Sequence, residues 1–134
     1  MTQPDGARLA DQLNPGVRDV LEERYGHLLP GMADTVIDMA YDRFYARPGL
    51  DLKSRYIATI AALTAMGAQT APQLRINIEV GLKIGLTETE IAETIWQMAL
   101  YGGLPAAINA LNTLRTLCAS CARASCSSSQ SSSP

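Results

Sequence analysis

The chain has 134 residues, of which 47% are apolar and 18% charged, and a formal net charge of -2. That is the arithmetic of one compact domain around a single core. Lys and Arg number 11 against 13 Asp and Glu, which removes the electrostatic footprint that phosphate-backbone binding needs and argues against a nucleic-acid partner.

The start of the chain has no basic stretch followed by an apolar one. The least polar run, 57–68, is about twelve residues, too short for roughly 30 Å of hydrocarbon. The sequence therefore predicts a cytoplasmic protein with no membrane partner. In chain order it predicts helices throughout and no strand. Residues 1–13 read as an N-terminal segment. Asn14-Pro15 places a cap and a first-turn proline before Val17, Val20 and Leu21, and Gly26 is the stop. A second helix is predicted over 31–47, where Met32, Val36, Met39, Ala40 and Phe44 recur at helical spacing and Pro48-Gly49 ends the pattern. Asp51 caps a third helix that stops at Gly67. Apolar or small residues on all its sides predict a central helix covered all round. Arg55 at its entrance then needs a carboxylate, with Glu90 and Glu93 as natural partners, since an unpaired buried charge costs roughly 3 to 5 kcal/mol.

Thr70 can cap a fourth helix that ends at Gly85. Here Arg75, Glu79 and Lys83 make a charged ridge, while Gln73 and Asn77 lie where two apolar faces meet. A buried amide without partners costs ~1 to 3 kcal/mol, so Asn77 either ties helices together or faces a cavity. Thr87-Glu88-Thr89-Glu90 is a capping box that opens the fifth helix. On that helix Ile91, Ala92, Ile95, Trp96, Met98, Ala99 and Leu100 cover an arc of about 200°, wider than one core face requires, which predicts a subunit contact. Gln97 and Tyr101 lie on its narrow polar stripe. Gly102-Gly103 breaks the helix, and Pro105 opens a sixth that reaches Cys118. The predicted domain is therefore 14–118. The remainder, 119–134, is a Ser- and Cys-rich tail that cannot bury enough apolar surface to order itself and is predicted to be disordered. Cys118 and Cys121 form a CxxC, yet three thiols without a histidine fall short of the four ligands zinc wants, so no metal site is predicted.

Three blocks then stand out: Arg47-Pro48-Gly49-Leu50-Asp51 with Arg55, Glu90-Ile91 with Glu93, and Tyr101, Gly103, Pro105-Ala106-Ala107 with Asn109-Ala110. In this order they resemble the carboxymuconolactone decarboxylase family, which shares its fold with the alkyl hydroperoxidase D-type proteins. The resemblance spans about 32–114. It implies an all-α fold of about six helices around a central antiparallel pair, assembled as a homo-oligomer, often trimeric or hexameric, with pockets near the subunit contacts. It also marks departures. The hydroperoxidase branch has a CxxC where this chain has Thr70 and Gln73, and neither residue supplies a thiolate. The decarboxylase branch typically has histidine at the position of Asn77, and histidine or glutamine at that of Gln97. An amide hydrogen-bonds but does not shuttle a proton near neutral pH.

The chemistry implied is a cofactor-free lyase or isomerase acting on a small lactone, enol or keto acid. Such an enzyme must hold a carboxylate, stabilise a dienolate oxygen and deliver a proton to carbon. Arg43, Arg47 and Arg55 suit the first task, because a planar guanidinium fork matches a carboxylate, and Tyr45 is a further substrate-binding candidate. Asn77, Gln97 and Tyr101 can donate to the oxygen. His27, the single histidine, is the candidate proton carrier, and a surface or helix-cap role is its alternative. Two other readings stand beside this one: a non-catalytic oligomeric binding or scaffold member, and a hydroperoxidase-type antioxidant.

Overall fold

Every regular element among the described residues of the computed structural model, 5–129, is helical. Positions 1–4 and 130–134, parts of the predicted N-terminal segment and tail, lie outside the described residues. The composition predicts one core. The chain instead divides into two compact units, with the boundary after Arg55.

The first unit holds α1 (Asp5–Leu13), α2 (Val17–Tyr25), α3 (Met32–Val36), a π-helix (Ile37–Tyr45) and the first turn of α4 (Leu52–Ala65). The N-terminal segment is thus a helix in its own right, and it packs on the π-helix. Ala10 and Leu13 are buried on its inner side. Gly6 sits so close to the chain at Asp42 that a Cβ there would collide with the Asp42 Cβ and backbone. In return the Gly6 amide, one of the helix's orphan donors, donates to Asp42 Oδ1 at 3.1 Å. Asn14 does not cap α2; Gly16, with φ 79°, occupies the cap position without a side-chain bond. The Asn14 side chain instead bonds to the half-buried Tyr41 phenol, whose pKa burial raises and this hydrogen bond partly lowers.

The predicted second helix covers the right stretch with the wrong ladder. From Ile37 to Tyr45 the turns widen to five-residue spacing, as in the Ala46 amide donating to Tyr41 O at 2.9 Å. A wider turn rotates the apolar pattern. Ile37 is buried, whereas Met39 and Phe44, expected inside, are 56% and 54% exposed.

The second unit contains the rest of α4, a short 3₁₀ turn (Ala68–Thr70), α5 (Ala71–Lys83), α6 (Glu88–Gln97), α7 (Ala99–Gly102) and α8 (Leu104–Ser129). Helix α8 packs against α5, α6 and α7, and Ile60, Ile78, Ile91, Ile95 and Ala107 are essentially inaccessible in its core. Asp51 caps α4 as predicted: bonds from the Ser54 side chain and amide hold its carboxyl below the usual range. The helix is not covered all round, however. Tyr56, Ile60 and Thr64 are buried, while Ala58, Ala62 and Met66 line an exposed side. Alanine exposes too little apolar surface to demand cover, so a face of alanines can stand in water.

Thr87 accepts from the Glu90 amide at 3.0 Å, the predicted cap of α6. Thr70 makes no cap bond to α5. Its hydroxyl lies 2.5 Å from Leu63 O and 3.0 Å from Gly67 O, so it ties the turn back to the end of α4. Gly102 permits close approach of a different kind: a Cβ there would lie 2.9 Å from Ala65 Cα.

Helix α8 does not stop at Cys118 but runs on to Ser129. Ala119, Ala122 and Ala124 are good helix formers. Ser120 and Ser125 donate to the carbonyls of Thr116 and Cys121 at 3.0 Å each, so these hydroxyls bond within the helix itself. Everything described from Ala119 to Cys126 is nevertheless exposed. Among the described residues no helix is long and apolar enough to cross a membrane.

Candidate functional site

Three of the predicted residues meet on one surface of the first unit. Arg43 on the π-helix, Arg47 in the turn that follows it and Arg55 in the first turn of α4 line an open cleft of about 650 Å³, together with Thr35, Asp38, Met39 and Phe44. The chain reaches this arrangement through local rules. Pro48-Gly49 ends the helical run and turns the chain, and Asp51 restarts it, so Arg47 and Arg55 flank one short turn.

The three arginines are used differently. Arg43 Nε lies 2.9 Å from Asp38 Oδ2, with the two side chains 71% and 53% exposed. Arg55 donates through Nε to Leu50 O at 3.0 Å and through Nη2 to Arg47 O at 2.8 Å. The glutamates expected beside it, Glu90 and Glu93, belong to the second unit. The Arg47 guanidinium has no hydrogen-bond or ion-pair partner among the described residues. Three arginines and one aspartate line the cleft, with Met39 and Phe44 as its apolar wall. Such a surface suits a small anion with a flat apolar body. At about 4 Å each guanidinium attracts a carboxylate by ~1 kcal/mol in water-like surroundings and by ~4 kcal/mol where the effective dielectric falls to 20.

Tyr45 lies elsewhere in the unit. It lines a cavity of about 340 Å³ with Asp5, Arg8, Leu9, Gln12, Ala46 and Leu52, and its ring centroid is 6.0 Å from that of Tyr41. His27 is exposed in the turn between α2 and α3.

In the second unit Asn77 is half-buried, and its Nδ2 donates to Gln73 O at 2.8 Å, one turn back on α5. Gln97, the last residue of α6, and Tyr101 on α7 are exposed, Tyr101 at 76%. A groove of about 500 Å³ in this unit is lined by Ala71, Pro72, Arg75, Asn112, Thr113, Thr116 and Leu117. Asn77, Gln97, Tyr101 and His27 line none of the cavities named above. Among the described residues no three His, Cys, Asp or Glu side chains converge. Cys118 is half-buried beside Glu88; burial first, and then the carboxylate, push its thiol up to about 11. Thr70 and Gln73, where the hydroperoxidase branch has its cysteines, carry a hydroxyl bonded to carbonyls and an exposed amide.

Sequence reasoning missed Asp38, Met39 and Phe44 as cleft residues. An i,i+5 pair falls about 140° apart on an ordinary helix, so only the wider π turn brings Asp38 and Arg43 together.

Comparison with known proteins agrees with the three blocks in the sequence. The chain is 39% identical over 106 residues to an uncharacterized 15.0 kDa protein of Paracoccus denitrificans, 79% of each chain being covered. It is 36% identical over 72 residues to 4-carboxymuconolactone decarboxylase of Acinetobacter baylyi, covering 54% of this chain and 52% of that one. With nitrosuccinic acid decarboxylase of Metarhizium robertsii it shares 30% identity over 82 residues, 61% of this chain and 55% of the other. The chain thus spans about half the length of the two decarboxylases it matches. The pattern of the carboxymuconolactone decarboxylase family matches residues 30–116, a stretch that includes all three cleft arginines, and the chain belongs to that family.

Proposed function

We propose that this chain is a cofactor-free carboxy-lyase acting on a small unsaturated lactone, enol or keto acid, with the arginine cleft as its carboxylate site. The observation that carries this reading is the meeting of Arg43, Arg47 and Arg55 on one cleft with an apolar wall. The decarboxylase names of two relatives support the reaction class. In such a reaction the bond between carbon and the departing carboxylate breaks, its electron pair flows into a conjugated carbonyl, carbon dioxide leaves and a proton is delivered to carbon. The substrate is therefore a dicarboxylic member of this class, and the arginines hold the second carboxylate, the one that stays on it. Gripping the departing one would stabilise the ground state more than the transition state and slow the reaction. His27 is the proposed proton carrier.

Self-association, as a trimer or hexamer, is part of the proposal. Trp96, Leu100, Leu104 and Ile108 are 54%, 76%, 55% and 52% exposed, a set of large apolar side chains that a monomer rarely leaves in water. The test is to mix the protein with a panel of lactone acids that includes 4-carboxymuconolactone and to measure released carbon dioxide. Release that depends on Arg47 supports the reading. A binding or scaffold member of the family is the second reading. It is favoured by the Asn77 amide nitrogen being held by Gln73 O, and it predicts no release from any compound.

A further inference from the structure

The cleft arginines do not share one task. Resting on the carboxylate-site reading above, we propose that Arg47 is the residue that grips the anion, flanked by the terminal nitrogens of Arg43, and that Arg55 is a positioning residue that shapes the turn carrying Arg47.

Arg55 sends Nε to Leu50 O at 3.0 Å and Nη2 to Arg47 O at 2.8 Å. Those two carbonyls bracket Pro48-Gly49, so a single planar fork clamps both ends of the turn. Both bonds are charge-assisted and directional. Lysine, a point charge on a flexible stem, does not reproduce a fork that reaches two acceptors along fixed directions. Clamping this turn sets where the Arg47 side chain leaves the backbone. Arg47 itself keeps its guanidinium donors uncommitted among the described residues. Arg43 spends Nε on Asp38, which fixes its plane and leaves the outer pair of nitrogens facing no partner among the described residues. Phe44 and Met39, each more than half exposed, give a flat, unsaturated acid an apolar surface to lie on.

Gly49 supplies a way to separate shaping from gripping. Its φ is not left-handed, and a Cβ there would meet nothing within 4 Å. Gly49→Ala therefore stiffens the turn without strain and adds no group that can touch an anion.

The experiment is calorimetric titration of the full chain with fumarate, a flat dicarboxylate probe, at low ionic strength, with melting curves recorded in parallel. Arg47→Met is expected to weaken binding at least tenfold with an unchanged melting temperature. Arg55→Lys is expected to weaken binding about fivefold and to lower the melting temperature. Adding Gly49→Ala to Arg55→Lys narrows the conformations open to the loosened turn in the folded chain and is expected to restore about twofold in affinity. Wild-type protein that does not bind fumarate, or Arg47→Met protein that binds as wild type does, overturns the proposal. A double variant no better than Arg55→Lys alone overturns the positioning role of Arg55. Turnover is not read, so a chain that grips fumarate through Arg47 yet releases no carbon dioxide removes the lyase reading and leaves this division of tasks standing.

Discussion

Arg43 Nε and Asp38 Oδ2 meet at 2.9 Å across a five-residue spacing, one turn of the π-helix on which both sit. Both side chains are more than half exposed, and pairs of this kind contribute about 0–1 kcal/mol. Asp38→Asn is therefore expected to shift unfolding by no more than that, as measured by urea titration. A loss above about 2 kcal/mol would mean that the pair holds the π-helix itself together.

The contact between α1 and the π-helix is a stronger determinant of the first unit. Gly6 has no room for a methyl group against the Asp42 backbone, and its amide bonds to the Asp42 carboxylate. Gly6→Ala forces the two helices apart and is expected to cost about 1–3 kcal/mol, the usual range for overpacking. Urea unfolding of the variant checks this, and wild-type stability would show that α1 docks elsewhere.

The helical order of the chain was legible in its punctuation, because caps act over three or four residues and need no knowledge of the fold. Asp51 and Thr87 do what their positions announce. Thr70 does not, because carbonyls at the end of α4 lie closer to its hydroxyl than the α5 amides do. Arg43, Arg47 and Arg55 were named from the chemistry that the family resemblance implies, and they line one cleft. Asp38 was not, since a ruler of about 100° per residue places it far from Arg43, and nothing in Ile37–Tyr45 announces a change of ladder. The division after Arg55 was equally hidden, because composition counts apolar residues without saying which ones share a core.

Thr87 offers a measure of how much one legible cap contributes. Its hydroxyl oxygen satisfies the Glu90 amide at 3.0 Å. Thr87→Ala is expected to destabilise the chain by about 1 kcal/mol, read from the urea midpoint at unchanged slope. No shift would mean that water replaces the hydroxyl without cost.

The cysteines differ in reactivity even though none of the three is in a disulfide. Burial and then Glu88 push the Cys118 thiol up to about 11, while Cys121 and Cys126 are exposed. The thiolate is the reactive form, so iodoacetamide at pH 8 should label Cys118 last, as read by mass spectrometry, and Glu88→Gln should quicken its labelling. The same shift couples to folding. A thiol whose pKa is raised in the folded state stays protonated there while the unfolded chain ionises, so this contribution is intact below about pH 9 and is lost as pH rises toward about 11. Cys118→Ser should flatten that part of the stability profile. Equal labelling of all three thiols would contradict the account.

The most direct test is carbon dioxide release from a panel of unsaturated lactone acids and keto acids, run side by side with wild type and Arg47→Met. The account predicts release by the wild type and a loss of at least tenfold in kcat/KM in the variant, with the melting temperature unchanged. Release that is equal in the two proteins, or absent from the wild type across the whole panel, would contradict it.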